Sequence, residues 1–335
     1  MNAGNELWVG IDVAKSKLDV ALLDARGKER NHVFANDRKG HTALLTWLRG
    51  RAPDHPLRAC LEATGPYGEA VALALTDGGV VVSIVNPARV KGYAQSEALR
   101  NKTDQVDAAL LARFGQALQP EPWVAPAPEV RELRGLVERL RSLQEMQQQE
   151  TNRLEVAAGQ PTMRTSIESH LAWLQQGIAQ LQRQIDDHID RHPGLRRDMA
   201  LMTSIPGIGP TTAAKVLAYI GDVRRFKNAK ALAAFVGVTP RQKLSGSSVR
   251  GRSALSRAGE ARLRSGLFMP AMVAHRHNQP ISAFAARLRA NGMAKKAVVA
   301  ACMHKLLLQI YGILKSGIAF NPVIGAARLD FQDGI

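Results

Sequence analysis

The order of strand-like and helix-like runs near the start of the chain is the feature that most restricts how it can fold. Three runs typical of β-strands follow one another at residues 7–14, 18–24 and 30–35, separated by short polar turns. Two more, at residues 57–63 and 80–85, alternate with segments typical of helices. Three hairpin-linked strands followed by this alternation predict an α/β domain built on a mixed sheet.

Two carboxylates are candidate site residues on the predicted strands. Asp12 lies within an apolar strand, where an ionised side chain is costly unless it is paired, bound to a metal or turned to solvent. Glu62 lies near the end of the fourth strand, and ligands of open α/β sheets gather at the carboxyl ends of strands. Asp19 and Asp24 are weaker candidates, because both are expected at strand ends where solvent is close.

The segment LRNKTDQVD supplies two more carboxylates. Thr103 is predicted to cap a helix whose first turn contains Asp104 and Asp107, and positions three apart share one helix face. A divalent cation with oxygen ligands, Mg²⁺ or Mn²⁺, would relieve the repulsion between them. The alternative is that both acids only complement the helix dipole. Arg100 and Lys102, just before them, are candidate nucleic-acid contacts.

Positive charge is concentrated in the C-terminal part of the chain. Residues 191–316 contain 22 Lys and Arg against three Asp and Glu, a net charge of +19. The whole chain has a net charge of +16, so the remaining residues together contribute −3. Such one-sided charge indicates a polyanionic partner, most simply nucleic acid, although a solvated basic surface is the alternative.

Composition and cysteine content are those expected of a globular protein of the reducing cytoplasm. Of the 335 residues, 45% are hydrophobic and 22% are charged, which is typical of globular domains. No segment is expected to span a membrane, and the N-terminus has no signal-peptide pattern. Cys60 and Cys302 show no metal-binding spacing and are expected to be buried as small hydrophobic residues.

The middle of the chain is predicted to form a helical arm. A proline-rich linker at residues 120–128 precedes two helical runs, and the second repeats apolar residues at alternating spacings of four and three. This heptad pattern predicts a coiled-coil hairpin or dimer arm, with an ordinary helical bundle as the alternative. The predicted domains are residues 1–119, the linker 120–128, the arm 129–192, a basic domain 193–320 and a tail 321–335.

A glycine-containing turn near the start of the basic domain is a candidate phosphate-binding site. The run SIPGIGPTTAAKVL places Gly207 and Gly209 between two predicted helices, where backbone N–H groups at a helix start can bind phosphate. It resembles the helix-hairpin-helix motif of DNA-binding proteins, and Lys215 follows on the second helix. A plain helical hairpin with glycine caps is the alternative.

The run RQKLSGSSVRGR, residues 241–252 and here called the serine segment, mixes hydroxyls with cations. Its cations could hold a scissile phosphate and assist an otherwise weak serine nucleophile. A flexible glycine- and serine-rich connector is the alternative. The candidate phosphate ligands are Arg241, Lys243, Arg250 and Arg252, and the serines are Ser245, Ser247 and Ser248.

Several motifs together resemble one family, the DEDD transposases of bacterial insertion sequences. They are GIDVAK, LEATG, VNP, AQSEALRNKTDQVDA, IPGIG and SGSSVRG, in the family's order. The resemblance implies a RuvC-like domain of the RNase H type, then a coiled-coil arm, then a mainly α-helical transposase domain. It further implies a magnesium site and a nucleophilic serine, which by motif are Asp12, Glu62, Asp104, Asp107 and Ser245.

The resemblance also implies a reaction and its partners. Such enzymes are serine recombinases that exchange strands between donor and target DNA, guided by a bridge RNA, in a homo-oligomer (a dimer or tetramer). Two other interpretations remain open from the residues. One is a metal-only nuclease or Holliday-junction resolvase in which water attacks the phosphate. The other is a non-enzymatic nucleic-acid scaffold whose acids only cap structure.

Overall fold

The computed structural model describes most of the chain. The described residues are 6–24, 27–53, 55–63, 65, 67–97, 103–241, 244–245, 249–250, 254–256 and 258–323. The chain divides into two compact units, Met1–Ala125 (unit 1) and Pro126–Ile335 (unit 2).

Unit 1 is built on a five-stranded mixed sheet, as the element order predicted. The strand order is β3-β2-β1-β4-β5. The first three strands are antiparallel neighbours, whereas β4 runs parallel to both β1 and β5. The strands are β1 (Leu7–Val13), β2 (Lys17–Leu23), β3 (Glu29–Ala35), β4 (Leu57–Glu62) and β5 (Val81–Val85).

The described residues of unit 1 also form four helices. Thr103 caps the last of them as predicted, because its hydroxyl accepts a hydrogen bond from the Val106 amide at 3.3 Å. The helices are α1 (Arg38–Arg51), α2 (Tyr67–Asp77), α3 (Pro87–Ser96) and α4 (Asp104–Leu118).

Gly10 brings α4 unusually close to the sheet. A Cβ atom at this position would lie 1.9 Å from the Ala108 carbonyl oxygen and 2.3 Å from the Ala112 amide nitrogen. Only glycine leaves room for the helix backbone there. Since Asp12 lies two residues further along β1, on the same face as Gly10, the first turn of α4 is brought over it.

The proline-rich segment is anchored to the sheet at its start. The Trp123 amide donates to the Val82 carbonyl at 2.7 Å, and the Ser83 hydroxyl donates to the Pro120 carbonyl at 3.0 Å. Both acceptor and donor residues belong to β5, the edge strand of the sheet. This segment therefore covers an edge that would otherwise expose unpaired backbone groups.

Unit 2 begins with the arm, an antiparallel pair formed by α5 (Pro128–Val156) and α6 (Pro161–Arg191). Its direction follows from three contacts: His188 Nε2 lies 2.8 Å from the Glu129 carbonyl, Gly177 lies against Leu143, and His170 lies 3.5 Å from Glu150. The helical hairpin is therefore present, and knobs-into-holes packing stays a prediction.

The base of the arm belongs to the main core of unit 2. Val130, Leu133, Val137 and Leu140 are buried in the same cluster as residues of the helices that follow. These helices are α7 (Pro193–Thr203), α8 (Pro210–Ile220), α9 (Ala229–Val236), α10 (Ala261–Gly266), α11 (Phe268–His277), α12 (Gln279–Ala290) and α13 (Lys295–Ser316).

Helix α13 is the central helix of this core. By length and composition it is the one helix in the described part of the chain that is long and apolar enough to cross a membrane, a test that a buried core helix also passes. Its apolar window is 61% buried within the protein. Cys302 is among its buried residues, and Cys60 is buried in unit 1, as predicted for both.

Unit 2 also contains short strands that the sequence did not predict. Two antiparallel pairs form within and around the serine segment, and each strand is two residues long. They are β6 (Pro240–Arg241), β7 (Leu244–Ser245), β8 (Val249–Arg250) and β9 (Ala254–Leu255). Strands this short lack the alternating pattern that reveals longer ones.

Candidate metal centre

Three carboxylates converge where β1, β2 and α4 meet. Asp12, Asp19 and Asp104 each offer an oxygen atom, and these three atoms lie within 4.8 Å of one another. We call this group the acidic cluster. Asp12 and Asp19 are directly opposite in the β1–β2 pairing, so their side chains share a face of the sheet. Asp104 comes from the first residue of α4.

Burial and the neighbouring acids raise the pKa of Asp12. Burial raises it most, and the charges of Asp104, Asp107 and Asp19 raise it further, in that order. Asp107 therefore lies close enough to act on Asp12 electrostatically, as expected for two acids on one helix face. The site stores repulsion among carboxylates that a bound cation would relieve.

Asp19 is buried, contrary to the expectation that solvent is close to it. It is 4% exposed and lies within β2, not at a solvent-accessible strand end. The signal that could have found it is the hairpin turn, in which the Ala14 amide donates to the Lys17 carbonyl. A two-residue loop there fixes the strand register and places Asp19 opposite Asp12.

Glu62 ends β4 beside the cluster but is not one of its three members. Leu61 of β4 pairs with Ile11 of the parallel strand β1. Glu62 and Asp12 each follow by one residue, so they are neighbours on adjacent strands. Glu62 also pairs in register with Val85 of β5. Its side chain is half-buried and has interactions of its own. Its role as a metal ligand stays a prediction from the motif.

Lys17 places a cation within the cluster that no pattern in the sequence predicted. Lys17 Nζ lies 2.6 Å from Asp104 Oδ2 and 3.0 Å from Asp19 Oδ2. These two carboxylates raise the pKa of Lys17, so its ammonium stays charged at neutral pH. The side chain of Lys17 remains 45% exposed.

The donor set fits a divalent cation. The cluster offers oxygen atoms only, and hard cations such as Mg²⁺ and Mn²⁺ prefer such ligands. Its acids come from two strands and one helix, whose packing at Gly10 fixes their separation. The candidate ligands are Asp12, Asp19, Asp104, Asp107 and Glu62.

The serine segment is described in part. Ser245 lies on β7 and pairs with Val249 of β8, so a short hairpin brings it near the strand that contains Arg250. Arg241 lies on β6, which pairs with β9. Lys243, Arg252, Ser247 and Ser248 lie outside the described residues, as do Arg100 and Lys102 before α4.

The glycine turn lies between α7 and α8, where it was predicted. Gly209 precedes α8, and a Cβ atom there would meet nothing within 4 Å. Gly207 has a φ of +106°, and its Cβ would come within 2.9 Å of the Pro270 carbonyl oxygen on α11. Packing against α11 therefore already requires glycine at 207. Lys215 of α8 lies next to Gly266 of α10, where a Cβ atom would be 3.6 Å from the Lys215 side chain.

Known proteins match the chain over most of its length. The pilin gene-inverting protein of Moraxella bovis is 32% identical over 322 residues, which is 96% of this chain and 99% of that protein. The corresponding protein of Moraxella lacunata is 31% identical over the same extent. Residues 9–158 match the DEDD transposase family of IS110, and residues 199–286 match the family described as transposase IS116/IS110/IS902.

The chain belongs to the IS110/IS116 family of DEDD transposases. It is therefore a DNA transposase/recombinase. The first family match contains every residue of the acidic cluster, together with Glu62 and Asp107. The second contains the glycine turn and the serine segment of this transposase.

Among solved structures, RuvC of T. thermophilus in complex with a Holliday junction substrate is similar to part of the transposase. It is 16% identical and covers 35% of this chain and 99% of its own, with a TM-score of 0.28.

Proposed function

We propose that this transposase cuts and rejoins DNA with a divalent-metal centre in unit 1 and a serine nucleophile in unit 2. The acidic cluster is the observation that supports it most: three carboxylates from separate elements lie within 4.8 Å of one another. Membership of the transposase family supplies the DNA substrate class. The sheet, with its antiparallel first strands and parallel later ones, is consistent with the RuvC-like domain implied by the motifs.

The acids of unit 1 would hold Mg²⁺ or Mn²⁺. Asp12 and Asp19 would bind from the sheet, Asp104 and Asp107 from α4, and Glu62 from the end of β4. A bound divalent ion supplies positive charge for the scissile phosphate and its leaving oxygen. The raised pKa of Asp12 supports this arrangement, because burial and the neighbouring carboxylates disfavour its ionised form and a bound cation would stabilise it.

Ser245 would be the nucleophile of unit 2. Its Oγ forms a bond to phosphorus and gives up its proton, while the bond from phosphorus to one sugar oxygen breaks. The departing sugar oxygen takes up a proton and becomes a hydroxyl. A hydroxyl of another strand then attacks the phosphoserine, which restores a phosphodiester and frees the serine. Arg250 and Arg252 are the candidate clamps for the phosphate oxygens.

The partners follow from charge and family. Residues 191–316, with a net charge of +19, would bind the backbones of donor and target DNA and of a bridge RNA that selects them by base pairing. The arm would join two copies of the chain in a dimer or tetramer. Since two relatives are named gene-inverting proteins, the same strand exchange could serve inversion as well as insertion.

Trapping the covalent intermediate tests the serine step. The wild-type protein, with its copurified RNA, Mg²⁺ and end-labelled DNA, should leave protein attached to a DNA end on a denaturing gel. Ser245→Ala should bind DNA normally and form no adduct, whereas Ser247→Ala and Ser248→Ala serve as matched controls. Cleavage without any adduct would instead support a metal-only nuclease or resolvase.

Sequencing the RNA that copurifies with the protein tests the proposed bridge RNA. A random mixture of RNA sequences would contradict it.

A further inference from the structure

Lys17 joins two elements that are far apart in sequence. Its ammonium contacts Asp19, two residues further along β2, and Asp104, which is 87 residues away at the start of α4. Lys17 and Asp19 share a face of the strand because side chains alternate along it. The same face of the hairpin contains Asp12, opposite Asp19. The ammonium therefore lies among the carboxylates that are the candidate metal ligands.

This contact engages two of the carboxylates that a metal would need. Each Asp oxygen in contact with Lys17 belongs to a member of the acidic cluster. A single positive charge offsets only part of the repulsion among Asp12, Asp19 and Asp104, whereas a divalent cation offsets more and binds several oxygens at once. A divalent cation bound to these carboxylates would repel the ammonium in contact with two of them, so the two cations compete.

The side chain of Lys17 is able to leave. It is 45% exposed and lies at the first residue of β2, and its four-carbon stem is flexible. Rotation of this stem would move the ammonium into solvent without disturbing the core. Asp104, whose side chain is 55% exposed, can likewise turn toward a metal. Exchange of one cation for the other therefore needs no change of fold.

We propose that Lys17 is a built-in counter-cation of the acidic cluster, which holds Asp104 beside Asp19 until a divalent cation replaces it. The inference rests on the proposed metal centre and assigns a positioning role to a residue outside it. In the metal-free protein the ammonium keeps the first turn of α4 against β2. When metal binds, the same ammonium is released next to the site, where it can contact a phosphate.

The affinity of the protein for Mn²⁺ measures the competition between Lys17 and a divalent cation for the acidic cluster. Titration with Mn²⁺ alone, followed by electron paramagnetic resonance, should show about 1.4- to 5-fold tighter binding to Lys17→Gln than to the wild type, the range expected for loss of a partly exposed ion pair. Lys17→Arg should remain near the wild type because it keeps the charge. Lys39→Gln, which removes the same charge from α1 of the same unit, is the matched control.

Hydrogen exchange of the metal-free protein measures the positioning role. The amides of Val106 and Asp107, bonded to Thr103 at the start of α4, should exchange faster in Lys17→Gln than in the wild type or Lys39→Gln. Saturating Mn²⁺ should abolish this difference. A merely structural role elsewhere in the unit would not confine the change to this turn or make it sensitive to metal.

The outcomes separate the inference from the proposed function. Normal Mn²⁺ binding to the wild type, with the same or weaker binding to Lys17→Gln, overturns the inference and leaves the metal centre intact. Unchanged exchange at the start of α4 overturns the positioning role. If the wild type does not bind Mn²⁺, the metal centre itself is overturned, and so is the proposed replacement of Lys17 by a metal.

Discussion

In unit 1 the candidate site residues are positioned by long regular elements, whereas in unit 2 Ser245 lies on a strand of two residues. Asp12 and Asp19 lie on seven-residue strands paired along their length, and Asp104 begins a helix of 15 residues. Ser245 has one cross-strand partner, Val249. The acids therefore depend on packing of the whole domain, and the serine depends on local pairing. A metal site needs several ligands held at fixed distances, while a nucleophile must reach a substrate.

The most severe test of this contrast is to remove single acids. Asp12→Asn should weaken Mn²⁺ binding by at least about 10- to 100-fold, the range seen when even an outer partner of a metal ligand is lost. Asp19→Asn should behave in the same way if the observed cluster is the working site. Binding titrations and metal-dependent DNA cleavage measure both.

Glu62→Gln tests whether Glu62 belongs to the same metal centre as Asp12. A loss as large as that of Asp12→Asn would bring Glu62 into the centre, as the family motif implies. Normal Mn²⁺ affinity in Asp19→Asn together with a loss in Glu62→Gln would contradict the ligand set drawn from the cluster. Asp24→Asn, on the same hairpin but outside the cluster, should leave affinity unchanged.

A smaller effect is expected from disturbing the packing that positions the acids. Gly10→Ala would force a Cβ into the backbone of α4, where the nearest atoms are the Ala108 oxygen and the Ala112 nitrogen. We expect a loss of about 1–3 kcal/mol or more in the free energy of unfolding, as for other overpacked cores, measured with urea. Gly50→Ala in α1, where a Cβ meets nothing within 4 Å, should be neutral or stabilising.

The smallest effect is a pH dependence of stability. The folded-state pKa of Asp12 is raised, so its ionisation favours the unfolded chain. With metal removed by EDTA, ionisation of Asp12 has no effect on stability below the pKa that Asp12 has in the unfolded chain. As pH rises from there through the higher pKa of Asp12 in the folded protein, ionisation progressively lowers the free energy of unfolding. The wild type should therefore lose a few degrees of Tm relative to Asp12→Asn between acidic and neutral pH. A constant difference across that range would contradict the shift.

Regular elements were the predictable part of this chain. The five strands and the Thr103 cap were found because period-two patterns and capping residues are local signals. Gly10 was missed because the backbone that requires glycine there lies nearly 100 residues away in sequence. Asp19 was misjudged because its burial depends on the register of a hairpin.

Part of the candidate site could also be predicted from the sequence. Asp12 was singled out as a carboxylate within an apolar strand, and Asp104 and Asp107 from their spacing. The structure places Asp12 near both of them. Lys17 was missed because its contact with Asp104 joins two elements whose proximity only the folded sheet reveals. The strands around Ser245 were missed because pairs of two residues have no period.

The arm also has a mechanical consequence. Helix α5 has 29 residues, which at about 1.5 Å per residue makes a rod of roughly 44 Å. Its base is fastened to the helices beyond it, since Arg134 donates to the Ala218 carbonyl and Glu138 accepts from Tyr219 and Arg262. A load applied at the tip of the arm is therefore transmitted to α8 and α10. A displacement of the tip of the arm would therefore rotate the arm about its attachment to the core of unit 2.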